Sequence, residues 1–531
     1  MGNDLLYLRQ DVQVEPLCDQ WYAWSHLISP ATAARNITER HLKIMDSYVN
    51  APAVHAKLAA DPKLAGGPFI DYGGERVDEI RSLSDRTIVE RAHMIELSRA
   101  LNELNVLLQQ NAKGYSLSAL YESVPHTLRG YVELVYDLND HPSFRLIEPL
   151  LYRSEYYNPS SQSFMLSRTL GDDRPFVMST PRLEGPGLLH LRKSFADPTT
   201  DELFRLKTSP RTWSEIKDIA GVRDEDDELL RSFLTQDAPP PYEPYSGIGV
   251  RWRYFGHACI LIESGGQSFL FDPVLSYAYE SEISRYRYTD VADVIDYALI
   301  THNHTDHLML ETLLQLRHKV RNVVVPRSGG GALQDPSLRL ALNHCGFPNV
   351  IEMSELDSIP INNGEIIGIP FLGEHADLDV RTKLAYVVRI GRRKLLFGAD
   401  SCNLDPFIYD RVHQVIGNID ALFLGMECDG APLSWLYGPL LGRRIERSRD
   451  ESRRLSGSDY EQAIRIVERF ACNDVYVYAM GQEPWLNHVM SLKYTEQSRP
   501  ITESNRVVET CRARGKCAER LFGEKEILLD I

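Results

Sequence analysis

The stretch Ala298-Leu-Ile-Thr-His302-Asn-His304-Thr-Asp306-His307 runs an apolar strand straight into three histidines and an aspartate. Packing does not call for such density at a strand end. His302 and His304 stand two apart, so both imidazoles can converge on one ion, while Asp306 and His307 in the following turn can aim at a second. That is the chemistry of a dinuclear metal centre; the plainer reading is a solvated loop rich in histidine. A second acidic pair, Glu427 and Asp429, follows the apolar run ending at Met426, on a strand whose end should lie on the metal-bearing side. Glu427 is a candidate to bind a substrate amine or to tune a ligand, against the plain reading of solvated loop acids.

Such groups need a rigid frame. The segment Gln236–Gly249 holds four prolines and two glycines, in which neither helix nor central strand can run, and places a domain boundary between 1–245 and 246–531. Beyond it, short β-branched or aromatic runs predict strands at Val250–Tyr254, Cys259–Glu263, Ser268–Phe271, Tyr297–Thr301, Asn322–Pro326, Glu365–Phe371, Leu384–Ile390, Lys394–Phe397, Leu422–Met426 and Asp474–Tyr478. Helices fit Asp306–His318, Ser337–His344 and Asp459–Phe470, so the expected architecture is α/β, two sheets covered by helices. The first half reads as a mixed, largely helical α+β domain. Met94, Leu97, Leu101, Leu104 and Leu108 form a helical stripe behind a capping box at Thr87 and Glu90, a second helical stretch runs from Leu117 to Leu138, and Ser163–Leu170 reads as a strand.

The chain has 531 residues, enough for two domains, with ordinary apolar and charged fractions and no apolar run long enough to span a bilayer. A net charge of −16 repels phosphate backbones and argues against a nucleic-acid partner. Met1 to Glu15 shows no signal-peptide pattern, and the eight cysteines are isolated with no CxxC pair, so the expectation is a cytoplasmic protein without a disulfide framework. The triple glycine Gly329-Gly330-Gly331 lacks GxGxxG spacing and reads as a turn. Arg443, Arg444, Arg447, Arg449, Arg453 and Arg454 make a basic segment that either steers an acidic partner or pairs with the interspersed Glu446, Asp450 and Glu451.

The spacing HxHxDH is the signature of the metallo-β-lactamase fold, and the C-terminal half resembles it further in Arg253-Tyr-Phe-Gly256-His257 and Phe271-Asp272-Pro273. His257 reads as bracing the first hairpin. The resemblance implies a bridging carboxylate at Asp400 and a last histidine at His488. One position departs from the hydrolytic pattern: Phe371-Leu-Gly373-Glu374-His375 puts a glutamate directly after the glycine where a histidine is usual. The added carboxylate favours harder ions, so iron becomes the better choice than zinc. In an extended stretch Glu374 and His375 would face opposite sides, so only one can serve.

With its length, its two-part layout and Glu374, the chain resembles the metallo-β-lactamase-fold diiron oxygenases that β-hydroxylate amino acids held on nonribosomal peptide carrier domains, such as the chloramphenicol-pathway type. The resemblance implies two iron ions on His302, His304, Asp306, His307, Glu374, Asp400 and His488, with Glu374 and Asp400 in catalytic roles, to which the place of Glu427 after its strand adds a third candidate. It further implies O₂ as co-substrate, a separate electron donor, a phosphopantetheine-tethered aminoacyl group such as p-aminophenylalanine, and an N-terminal half that dimerises and covers the site. The competing reading is a dinuclear zinc hydrolase of a thioester, lactone or phosphoester on the same fold; a metal-stabilised scaffold is a third, for which an open site is a poor staple.

Overall fold

In the computed structural model, which describes residues 4–531 except 63, 65 and 492, the apolar runs after Gly249 assemble into two seven-stranded sheets. The first runs in space Val350–Met353, Val320–Pro326, Ile295–Leu299, Gln267–Phe271, Ile260–Ser264, Val250–Tyr254, Lys525–Leu529. The second runs Ser358–Ile361, Gly364–Ile369, Ala385–Ile390, Arg393–Phe397, Ala421–Gly425, Asp474–Tyr478, Cys517–Arg520. Each begins in antiparallel hairpins and passes to parallel pairs. The parallel register sets Phe271 beside Leu299, Phe397 beside Phe423 and Gly425 beside Tyr478, so the loops that leave these strands collect at one edge. Loops gathered at the carboxyl ends of parallel strands are where an α/β fold builds its site.

Aromatic side chains alternate inward between the sheets. Phe271 stacks on Phe397 at 4.1 Å between ring centroids and Phe397 on Phe423 at 4.7 Å, with Trp252, Tyr386 and Tyr476 around them. Helices Pro406–Ile416, Tyr460–Arg469 and Arg499–Ala513 bury the outer face of the second sheet. The expected αββα sandwich is therefore present. On the outer face of the first sheet, Leu313, Val325 and Leu342 share one core with Leu8, Val12, Phe164 and Phe204 from the N-terminal half. Gln236–Gly249 contains neither helix nor strand.

The N-terminal half is α+β, built on a sheet of Trp21–Tyr22, Val12–Cys18, Gln162–Arg168 and Leu189–Leu191. Two expectations fail there. Thr87 does not cap the helix that follows: it lies in the last turn of Val77–Glu90, its hydroxyl donating to the Leu83 carbonyl at 2.8 Å, and a new helix, Ala92–Asn111, starts after the break at Arg91. The mostly polar Val77–Glu90 hid its Ile80, Leu83 and Thr87 stripe. The segment Leu117–Leu138 is not one helix, because Pro125 and the left-handed Gly130 interrupt it; two short 3₁₀ turns lead into Val132–Tyr136, which pairs with Pro142–Leu146.

Buried charge stitches the halves together. Arg182 from the N-terminal half grips Glu15 at 2.8 Å, while Arg174 reaches both Glu15 (3.2 Å) and Glu311 (3.0 Å). Glu311 opens the helix Leu310–Leu316, which leaves the histidine loop. That helix is shorter than the expected Asp306–His318, so Asp306 and His307 sit in the preceding turn, free to point at the sheet edge.

Candidate metal centre

His302 and His304 follow the end of Ile295–Leu299, and their ring nitrogens Nε2 and Nδ1 come to 3.2 Å of each other. Glu374 Oε1 lies 3.2 Å from His304 Nδ1 and completes one donor group with His302 and His304. Asp400 Oδ2 lies 2.8 Å from His307 Nε2 and 3.7 Å from His302 Nε2, which makes the second group. Asp306, His307 and His257 make the third. All these donors except the partly exposed Asp306 are buried.

The local backbone shows why these residues converge. Asp272 accepts from the Thr301 amide (2.7 Å) and hydroxyl (2.6 Å) and lies 2.8 Å from His307 Nδ1. That contact assigns the His307 proton to Nδ1 and leaves Nε2 free for an ion, the carboxylate–histidine arrangement common behind metal ligands. Asp400 stands on a turn tied by Gly398 to Phe423 and by Gly425 to Ala399; a Cβ at Gly425 would fall 2.2 Å from Asp400 Oδ1, so only glycine leaves that carboxylate its place. His257, Asp272, Glu374 and Ala399 all hold left-handed backbone, which non-glycine residues adopt at a cost and which clusters at functional sites. Glu374 therefore lies in a turn rather than an extended stretch, and alternation of faces is not what selects it. Its φ of 67° swings the carboxylate to the histidines while His375 Nδ1 meets the Tyr437 hydroxyl at 2.7 Å.

His488 departs from the expected set. After Tyr478 the chain turns at Ala479 and Gly481 into the short helix Asn487–Met490, and this aims His488 at Glu311, 3.8 Å away and outside the donor groups. His257 stands instead beside Asp306 Oδ2 at 2.9 Å and His307 Nε2 at 3.2 Å. Gly481 N–H donates to its Nδ1, which assigns the proton to Nε2, where it is donated to Asp306. A histidine at the tight turn after the first strand, in Gly256-His257, was the sequence signal for this position.

Electrostatics match a site built for cations. Burial, then Asp400 and Asp306, raise Glu374 well above the carboxylate range, and burial followed by Glu374 and Asp400 does the same to Glu427. Burial depresses His302 far below its ordinary value and takes His304 to about 4. For His307 burial is outweighed by Asp400, Asp306 and Asp272, which together raise it. Asp400 Oδ1 is buried with no hydrogen-bond partner among the described residues. Crowded carboxylates, neutral imidazoles and an orphaned oxygen are what two dications would relieve, with release of the protons held there. The residues fit a dinuclear, carboxylate-rich centre, and the donor chemistry suits iron. Asp272→Asn is expected to weaken metal binding by roughly 10- to 100-fold with the fold intact, read by competition with a chelator; undiminished affinity would show that Asp272 does not orient His307.

Glu427 does not join the donors. It lines a cavity of about 170 Å³ over the site, whose wall includes Phe176, Met178, Trp435, Leu455 and Val489. The basic segment is largely self-paired: Arg447 with Glu451, Arg449 with Glu446, Arg454 with Asp429. Gly331 serves as a turn, its carbonyl accepting from the Leu146 amide at 2.8 Å.

Fold and site together mark a metallo-β-lactamase-fold protein with a candidate metal centre at the sheet edge and a large N-terminal half packed against it. Residues 7–239 match the family described as diiron non-heme beta-hydroxylase N-terminal domain, and residues 267–467 the beta-lactamase superfamily domain. A relative from Streptomyces venezuelae, 4-amino-L-phenylalanyl-[CmlP-peptidyl-carrier-protein] 3-hydroxylase, is 38% identical over 98% of this chain and 99% of its own. The crystal structure of CmlA, a diiron β-hydroxylase from the same organism, superposes with a TM-score of 0.92 at 37% identity over 99% of this chain and 100% of that one. A glutamate-to-aspartate variant of CmlA superposes with a TM-score of 0.90 at the same identity and coverage. The chain belongs to the diiron non-heme β-hydroxylase family and is an oxidoreductase of that class. The zinc hydrolase alternative is set aside by that membership.

Proposed function

We propose that this enzyme uses O₂ and two external electrons to β-hydroxylate an aminoacyl group held as a thioester on a nonribosomal peptide synthetase carrier domain, in antibiotic biosynthesis. The observation that carries the reading is the pairing of Glu374 with His302 and His304, a carboxylate where hydrolytic relatives of the fold resemble one another in using histidine. The curated relative, whose name specifies an aminophenylalanyl carrier protein, supports an aromatic substrate. Two irons on His302, His304, Glu374, Asp400, Asp306 and His307, with His257 rather than His488 nearest the last position, would supply oxygen activation and C–H oxidation.

The chain's own residues then divide the work. Asp400 stands between His302 and His307, the two histidines that its donor group shares with the other groups, and Asp272 fixes the His307 tautomer. Phe176, Met178, Trp435 and Val489 exclude water and receive an apolar side chain, while Glu427, the acid of the cavity outside the donor groups, receives the substrate ammonium. Arg443 and Arg444, for which no ion pair is present among the described residues, are the part of the basic segment left to meet an acidic carrier. Exposed Ile88 and Val89 on the N-terminal half support assembly as a homodimer. No described helix is long and apolar enough to cross a membrane, and the eight cysteines are free thiols, seven of them buried, which supports a reducing, cytoplasmic setting. The test is mass spectrometry of candidate aminoacyl-carrier domains incubated with the iron-loaded enzyme, O₂ and a reductant. The expected result is the gain of one oxygen atom at the β-carbon; two tightly held zincs in protein expressed with ample iron, and no oxygen gained, would overturn the reading.

A further inference from the structure

A second cavity, of about 460 Å³, lies outside the one over the metal centre, and the two share Gly66, Phe176, Met178 and Trp435 as walls. The shared residues form the boundary, here called the neck, between an inner chamber floored by His304, Asp306 and Glu374 and an outer groove bordered by Lys43 and Ser47, both exposed. A substrate delivered on a covalent arm needs such a passage, apolar near the chemistry and polar where it opens. We propose that the outer groove binds the phosphopantetheine arm of the carrier, with Lys43 meeting its phosphodiester and the aminoacyl thioester passing the Phe176–Trp435 neck to the metals. The proposal rests on the carrier-bound reading above.

The neck is deliberately built. Within the helical run Pro30–Asn50 the turn Ile37–His41 is a π-helix, a local irregularity that recurs at functional positions. It delivers the buried Arg40 to the neck, where Nη2 donates to the carbonyls of Trp435 (2.7 Å) and Leu436 (2.9 Å) and Nη1 reaches Met178 Sδ (3.3 Å). Arg40 is paired with no carboxylate among the described residues. Burial lowers it to about 10, so it remains a cation at neutral pH. A buried, carbonyl-bound guanidinium is a costly way to hold a helix and a turn together, and here it ties the helix Leu433–Tyr437 to the turn at Met178, both at the neck.

Charge selects this groove over its neighbour. Among its lining side chains Arg40 and Lys43 stand against Glu39, and Glu39 is itself shared with Arg35 at 3.8 Å, so Lys43 is not neutralised one to one. In a chain of net charge −16 that makes the groove a local positive site suited to a phosphodiester. The adjoining cavity of about 430 Å³ also touches Gly66 and Phe176, but Asp71 and Asp173 line it and its Arg174 is held by Glu15 and Glu311. Ile44, Phe69 and Met178 offer the outer groove an apolar wall for the arm's methyl and methylene groups, and Ser47 a hydroxyl for its amides.

The probe is 4′-phosphopantetheine, which carries the phosphate and amides and no aminoacyl group, titrated calorimetrically into the iron-loaded enzyme. Lys43→Glu reverses the charge and Ser47→Trp fills the groove, both at exposed helical positions where the fold tolerates change. Each is expected to weaken binding by roughly ten-fold or more and to raise KM for the aminoacyl carrier, with iron content unchanged, as loss of a charge-assisted contact predicts. Lys493→Glu, at the adjoining cavity, is expected to bind as the wild type does. No binding by the wild type, wild-type affinity in both groove variants, or a loss confined to Lys493→Glu would overturn the proposal. Arm binding with these variant effects but no hydroxylation of any aminoacyl carrier would sink the carrier-hydroxylase reading alone, whereas hydroxylation with unchanged KM in both groove variants would sink the groove alone.

Discussion

Asp400→Ala is expected to reduce hydroxylation by about 10³-fold or more and to lower iron from two atoms per chain to one or fewer, because the proposed position of this carboxylate between the ions would contribute several kcal/mol to stabilising charge at the reacting centre. Asp400 is the donor whose loss disrupts most. Its Oδ2 stands 2.8 Å from His307 and 3.7 Å from His302, between a histidine of each proposed half of the centre, and its Oδ1 is buried without a partner among the described residues. Glycine at 425 leaves room for it where any Cβ would collide. Truncation removes a crowding carboxylate and opens a small space, so the metal-free variant should unfold no more readily than the parent. Metal analysis, product mass spectrometry and thermal unfolding read the three effects together. Two irons retained with more than a tenth of the parent's turnover would show that Asp400 does not link the ions.

The architecture around this carboxylate could be read from the chain before any coordinates, for a physical reason. Short runs rich in β-branched and aromatic residues favour strands, and Val250–Tyr254 and Asp474–Tyr478 have the bounds that their composition suggests. His302, His304, Asp306 and His307 were legible because four donors at a strand end have no packing rationale. Long-range convergence was not. His257 lies in a turn and His488 in a short helix, and whether either reaches Asp306 depends on the left-handed residues Ala479 and Gly481, whose conformations no local pattern announces. The N-terminal half was least legible, since its apolar stripes complete a core begun by Leu313, Val325 and Leu342. Helices that bury their faces against distant strands carry weak signals of their own, which is why Val77–Glu90 was hidden and Leu117–Leu138 was read as continuous.

Glu374→His is expected to abolish hydroxylation, by roughly 100-fold or more, and to shift the metal recovered from cells toward zinc. The change removes a hard oxygen donor from the group shared with His302 and His304 and installs a third imidazole, and imidazole-rich sets favour zinc. The backbone admits the test: position 374 has a φ of 67°, and histidine is among the residues that enter this left-handed region more readily than most. His375 packs beside the group, its ring centroid 4.5 Å from that of His304, but its Nδ1 is engaged by the Tyr437 hydroxyl at 2.7 Å and it belongs to none of the donor groups among the described residues. His375→Ala serves as the comparison and is expected to keep its iron, losing only the support that Tyr437 passes to His304, whose Nε2 lies 3.4 Å from the same hydroxyl. Parallel metal analysis of both variants after expression with equal iron and zinc separates the two residues. Unchanged iron and turnover in Glu374→His, with loss of both in His375→Ala, would reverse the assignment of the ligand.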